Sequence, residues 1–265
     1  MRTLTIALLP ILAIALPGAA RAEDRDFCAN RPGLDTPPCT MAPGEVMVEV
    51  GGASWDHSSN SASVEDDVTL GDALVRVGIA DSAEVQFGLT SYGSQRTRDR
   101  ISGEVERDTG VGDALVGVRR GLAGPNGPVA VEAYVTLPVG RQPIGAGRVE
   151  GGVLLPAQLG LPAGFQLALT PEVDVVANTD RGGHHVAWGS VVGLSHALTK
   201  TLGFTAEVQA FRDDDPSGHS TDARVAGSLA WQVGTRFQLD LELDAGLSNG
   251  APDRTIAVGF ARRFQ

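Results

Sequence analysis

Near its C-terminal end the chain alternates strictly between apolar and polar residues, and this period of two constrains the fold more than any other feature. In RFQLDLELDAGLS, residues 236–248, Phe237, Leu239, Leu241, Leu243, Ala245 and Leu247 share one parity, while Gln238, Asp240, Glu242 and Asp244 share the other. Successive side chains of a strand point to opposite faces, so the stretch predicts a β-strand with one apolar and one acidic face. A soluble sandwich would bury the leucines. A membrane barrel would turn them to lipid and enclose the acids in a lumen.

The pattern repeats in segments of about ten residues, near 45–54, 70–79, 84–93, 111–120, 128–137, 152–161, 164–176, 186–196, 203–213, 222–232, 236–247 and 254–264. Twelve strands, an even number, return both termini to the periplasmic side. The connections alternate in length. Those at 80–83, 121–127, 162–163, 197–202 and 233–235 are short, whereas 55–69, 94–110, 138–151, 177–185 and 214–221 are longer and polar, and 248–253 is brief but polar. Short turns on one rim and long loops on the other suit an outer-membrane barrel, and a soluble sandwich has no reason to alternate this way. The expected fold is therefore an all-β, twelve-stranded antiparallel transmembrane β-barrel, with outer-membrane lipid as its surroundings. Phe165, Phe204, Trp231, Phe237 and Phe264 sit at strand ends beside the short turns, as an aromatic girdle would. Trp55, Tyr92 and Trp188 lie near the opposite rim, with Tyr92 on the polar parity and Phe87 in mid-strand.

The N-terminal residues explain how such a chain would reach an outer membrane. Residues 1–22, MRTLTIALLPILAIALPGAARA, have Arg2, an apolar run and an Ala-Arg-Ala ending, the pattern of a signal peptide cleaved after Ala22. The run is too short for a retained span. The other uncharged stretch, 151–171, is broken by Pro156, Gly160, Pro162 and Gly164 and reads as two strands of a hairpin. The expected division is a signal peptide (1–22), a periplasmic N-terminal segment (23–44) and the barrel (45–265). Cys28 and Cys39 both fall in that Pro-rich segment, and an oxidising compartment favours a disulfide stapling it. The net charge is −11, or −13 once Arg2 and Arg21 leave, which argues against a nucleic-acid partner.

The last strand, TIAVGFARRFQ, carries Ile256, Val258, Phe260 and Phe264 in one phase. It resembles the aromatic-ending strand by which the barrel-assembly machinery recognises outer-membrane proteins. Phe264 is penultimate rather than terminal, and Arg262 takes an apolar-phase position from which it can snorkel. Gly71-Asp72-Ala73-Leu74-Val75 recurs as Gly112-Asp113-Ala114-Leu115-Val116, each leading to a short turn.

TGVGDALVGVRRGL (109–122) resembles the Gly-Leu-Gly-Asp strand pattern of an outer-membrane family labelled "putative meta-pathway of phenol degradation". YVTLPVG (134–140) is similar to that family's strand ending in Leu-Pro-x-Gly, and CANRPGLDTPPCTMAPGEVMVEVG (28–51) to its N-terminal segment. The resemblance implies a β-barrel transporter for small compounds, hydrophobic or aromatic ones among them, and brings no catalytic residues.

If the apolar parity faces lipid, Glu49, Asp72, Glu84, Asp113, Glu132, Glu172, Asp174, Glu207, Asp240, Glu242 and Asp244 face inward with Arg76, Arg119, Arg224 and Arg263. Eleven acids cannot all pair with four arginines, and burying them in an apolar core would cost several kcal/mol each. A hydrated lumen would supply the water they need. Twelve strands ~4.8 Å apart and tilted ~40° enclose a backbone diameter of roughly 24 Å. The excess of lumen carboxylates would favour cations or neutral solutes. A plugged, closed scaffold is the alternative state of the same lumen.

No enzyme is expected. Gly-x-Ser-x-Gly is absent, and Ser195 and His196 are adjacent in a strand and so face opposite ways. The runner-up classes are a barrel-embedded, lipase-like hydrolase, which would need an outward Ser–His pair, and a soluble periplasmic β-sandwich binding protein. No cofactor is implied. His57, His184, His185 and His219 fall in predicted outer loops without metal-ligand spacing. GRQPIGAG (140–147) lacks a phosphate-loop ending and reads as a flexible loop.

Overall fold

The computed structural model describes residues 25–180 and 182–265. The proposed signal peptide lies outside the described residues. The strands are β1 (Val46–Ser59), β2 (Ser63–Ala80), β3 (Ala83–Asp99), β4 (Val105–Gly110), β5 (Ala114–Gly121), β6 (Ala130–Leu137) and β7 (Glu150–Leu154). They continue as β8 (Ala157–Gly160), β9 (Phe165–Ala177), β10 (His184–Ala197), β11 (Leu202–Asp213), β12 (Ser220–Gln232), β13 (Phe237–Gly246) and β14 (Arg254–Phe264). Neighbours pair antiparallel, and β1 pairs with β14 from Val46↔Phe264 to His57↔Arg254, which closes the sheet.

β4 and β5 are two halves of one barrel strand, both paired to β3 and interrupted at 111–113. β7 and β8, both paired to β9, are likewise split at Leu155-Pro156. Pro156 has no N–H to donate, yet the wall stays bonded there: Leu155 N donates to Pro171 O and Ala130 N to Pro156 O. The barrel therefore has twelve strands.

Polarity is inside out. In β13, Leu239, Leu241 and Leu243 are 39, 36 and 51% exposed, whereas Gln238, Asp240, Glu242 and Asp244 are only 7–8% exposed. Val173, Val175, Trp188, Val192 and Val208 on neighbouring strands are exposed too. A soluble monomer does not tolerate an apolar belt of this extent, because each such residue would forgo roughly 1.5–3 kcal/mol of burial. Phe165, Phe204, Trp231 and Phe264 are exposed at the short-turn rim, and Tyr92 and Trp188 near the other. Arg262 faces outward with its guanidinium 5.0 Å from the Phe264 ring centroid.

Two hairpins run further than their hydrophobic pattern. Residues 55–69 and 94–110, expected as loops, are mostly strand: β1 and β2 meet at a three-residue turn (60–62), and β3 and β4 at 100–104. Beyond the lipid band neither face needs apolar side chains. Backbone pairing therefore continues under a polar sequence that carries no alternation signal. Tyr92 is exposed despite its parity. Gly71, at φ +64°, carries no Cβ to strain that conformation, and β1 bulges opposite it between Gly51 and Ala53. Asp72 and Thr90 stay bonded to each other at the border of a lumen cavity, whereas Leu70 and Tyr92, paired one step further out, are exposed away from it. Ile144 covers buried Gly93 from within.

Residues 25–44, expected as a segment apart from the barrel, lie inside it. Gly44 N donates to Gly78 O, and a Cβ at Gly78 would run into Ala42 O. Cys28, Met41, Met47 and Ala261 form a small apolar core within the lumen, and Cys28 is disulfide-bonded to Cys39 with 6.2 Å between Cα atoms. This stretch contains Pro32, Pro37, Pro38 and Pro43, so it cannot build a strand ladder. Its remaining N–H groups need other acceptors, and the inward carboxylates provide them.

Candidate functional site

The lumen is where the charged side chains meet, and three arrangements occupy it. At its centre is a buried charge network. Arg76 donates to Glu84 at 2.7 Å and Glu49 at 3.2 Å, while Arg119 donates to Glu132 at 2.5 Å and lies 3.7 Å from Glu84. Gln86 bridges Glu84 and Glu132. Arg76, Arg119, Glu49 and Glu84 are all at most 2% exposed, so their charges must be matched within the protein. The spare donors go to the N-terminal segment: Arg76 reaches Cys28 O and Cys39 O, and Arg119 reaches Cys39 O and Asn30 Oδ1.

The second arrangement is the carboxylate cradle around that segment. Glu49 accepts from Arg31 N, Glu242 from Gly33 N, Glu207 from both Leu34 N and Asp35 N, and Glu84 from Met41 N. Asp240 pairs with the Arg31 guanidinium at 3.0 Å. The acids that outnumber the lumen arginines are thus answered in large part by backbone N–H groups, where the sequence assigned them to water. Burial pushes the Asp35 carboxyl up, against hydrogen bonds from Glu207 and its own backbone.

The third comprises groups beyond the cradle. Glu172 and Asp174 share the Tyr134 hydroxyl at 3.3 and 2.8 Å. Arg224 pairs with Asp222 and stands 3.8 Å from Asp244. Asp72, Glu242, Asp244, Arg31 and Arg224 border a chamber of about 400 Å³ on the outer side of the segment. A second cavity, of about 790 Å³, lies on its other side near the short turns. The segment lies between the two.

Asp113 accepts from Gly140 N and Ala146 N, so the 140–147 loop is pinned rather than loose. Of the histidines expected in outer loops, His57 lies in β1 and bonds Asp66 at 2.8 Å, His184 and His185 open β10 with His185 2.9 Å from Asp213, and His219 stands 3.3 Å from Asp214. The Ser217 hydroxyl and the Thr179 and Ser217 N–H groups hold the Asp215 carboxyl far below its usual range. His196 stacks outward on Phe165, and Ser195 lies on the other face. Arg31, Gln86 and Tyr134 escaped the sequence reading. Arg31 sits in a segment without periodicity, and Gln86 and Tyr134 carry no formal charge.

The model of a family described as "Putative MetA-pathway of phenol degradation" matches residues 29–264. Among solved structures, an outer membrane channel from Pseudomonas putida F1 matches with a TM-score of 0.67 at 12% identity, covering 88% of this chain and 100% of that one. The β domain of the Bordetella autotransporter BrkA matches with a TM-score of 0.54 at 12% identity, covering 84% and 100%. No curated protein matches the chain. At these identities the likeness is one of fold, that of an outer-membrane barrel.

Proposed function

The chain belongs to the family described as "Putative MetA-pathway of phenol degradation", and from that premise we propose that it sits in the bacterial outer membrane and passes small solutes, aromatic compounds among them, through its lumen. The observation that carries this is the inverted polarity: an apolar belt outside, charged groups and two cavities inside. Glu49, Asp72, Arg76, Glu84, Asp113, Arg119, Glu132, Glu172, Asp174, Glu207, Arg224, Asp240, Glu242 and Asp244 form the wall of the path. The docked N-terminal segment is its constriction. The outer chamber carries more acids than bases, which favours cations and neutral solutes there.

Ser195 and His196 point to opposite faces of β10 and so form no nucleophile–base pair. The exposed Phe264 in the terminal strand supports recognition of that strand by the assembly machinery.

Planar-bilayer recording on the refolded mature chain tests the proposal, with benzylammonium as the small aromatic solute. Cation-preferring conductance carried by benzylammonium is expected, rising on deletion of residues 25–42. Absence of conductance in both the parent and the deletion would overturn it.

A further inference from the structure

The cavity near the short turns differs in charge from the rest of the lumen. Arg25 and Arg263 border it and are 8 and 6% exposed. Buried guanidinium groups elsewhere in the barrel are matched: Arg76 by Glu49 and Glu84, Arg119 by Glu132. These two are not. Arg25 donates to Thr40 O, and Arg263 donates to Arg25 O, Asp26 O and Thr235 O, all neutral carbonyls. Glu45 Oε1 stands 4.0 Å from Arg263 Nε, a long ion pair beyond hydrogen-bond reach, while Glu45 Oε2 accepts from Ala42 N. The Nε atoms of both arginines are buried and without a hydrogen-bond partner. A buried cation whose hydrogen bonds all go to carbonyls, with an unsatisfied N–H, is short of a hydrogen-bonded anion.

The cavity supplies room for one. Its volume of about 790 Å³ suits a small organic molecule. Phe27 borders it with its ring centroid 6.0 Å from the Arg263 guanidinium, and Leu202 and Ala230 add apolar surface. Exposed Lys200 adds positive charge and exposed Asp26 subtracts one.

We propose that this cavity, formed by Arg25, Phe27 and Arg263 at the periplasmic mouth, is a binding site for a small organic carboxylate with an apolar body. The carboxylate is held by the Arg25 and Arg263 guanidinium groups, and the apolar body lies against Phe27. Arginine is suited to this, because its planar fork matches a carboxylate and its face stacks on rings.

Calorimetric titration of the refolded mature chain in detergent with benzoate tests the site independently of passage, so a chain that fails to conduct leaves the result readable. Benzoate should bind, and benzyl alcohol should bind about tenfold more weakly because it lacks the charge. R25Q and R263Q should each weaken benzoate about tenfold while keeping heat-modifiable gel mobility, the sign of a folded barrel. R98Q, on the outer hairpin, should leave benzoate affinity unchanged. Equal binding of benzyl alcohol, or an equal loss in R98Q, would overturn the proposal. So would failure of benzoate to bind both the parent and E23Q/D24N, which removes the two carboxylates that precede Arg25 in the sequence.

Discussion

Single residues in this lumen are held by partners from distant parts of the chain, and that dependence fixes what their loss should do. Arg76 joins Glu49, Glu84 and two carbonyls of the N-terminal segment while fully buried. R76Q leaves buried Glu49 without its cation and Glu84 with only the more distant Arg119, and should lower unfolding stability by about 3–5 kcal/mol, read by urea titration in detergent. Asp35 behaves differently. Its carboxyl is raised by burial, so the docked segment holds that proton more tightly than the free segment does. Docking is then firmest at acidic pH and weakens as pH climbs from the ordinary carboxylate range, about 4, through the raised value. Hydrogen-exchange protection of Leu34 and Met41, referenced to intrinsic exchange at each pH, should fall as pH rises above the ordinary carboxylate range. D35N should flatten that fall.

Among the elements, the strands were legible in the sequence and the N-terminal segment was not. β13 declares both its faces, because lipid outside and charge inside impose opposite chemistry on alternate positions. The outer halves of β1 to β4 lie beyond the belt, so water on both sides erased the pattern that would have marked them as strands. The N-terminal segment has no period at all, and its partners are remote: Arg31 and Asp240 are 209 positions apart. Sequence spacing could point to a surplus of acids but not to the backbone N–H groups that meet them. Two changes test the element scale. L241R puts a charge on the lipid face of β13 and should cost about 2–4 kcal/mol. C28S/C39S frees an eleven-residue loop within the segment. It should lower the stability of docking by about 2–3 kcal/mol and raise bilayer conductance.

At the scale of the whole molecule, one sheet closes on itself strand to strand, and only the outer β4, paired to β3 alone, leaves an edge. The same closure encloses a space whose acids and arginines cannot reach bulk solvent freely, and the Pro-rich segment fills part of it. What remains is an acidic outer chamber and a cavity bordered by Arg25 and Arg263, separated by a docked stretch of chain. All of this follows from the direction in which the alternate faces of the strands point.

That direction can be measured with nitroxide labels placed singly at positions 239 to 244 of the refolded barrel in lipid, read for collisions with oxygen, which dissolves in bilayers, and with a water-soluble nickel chelate. Labels at 239, 241 and 243 should be open to oxygen and closed to nickel, and those at 240, 242 and 244 should not share that profile. If the leucine positions are shielded from oxygen and the acidic positions are the exposed ones, the barrel has been read the wrong way round.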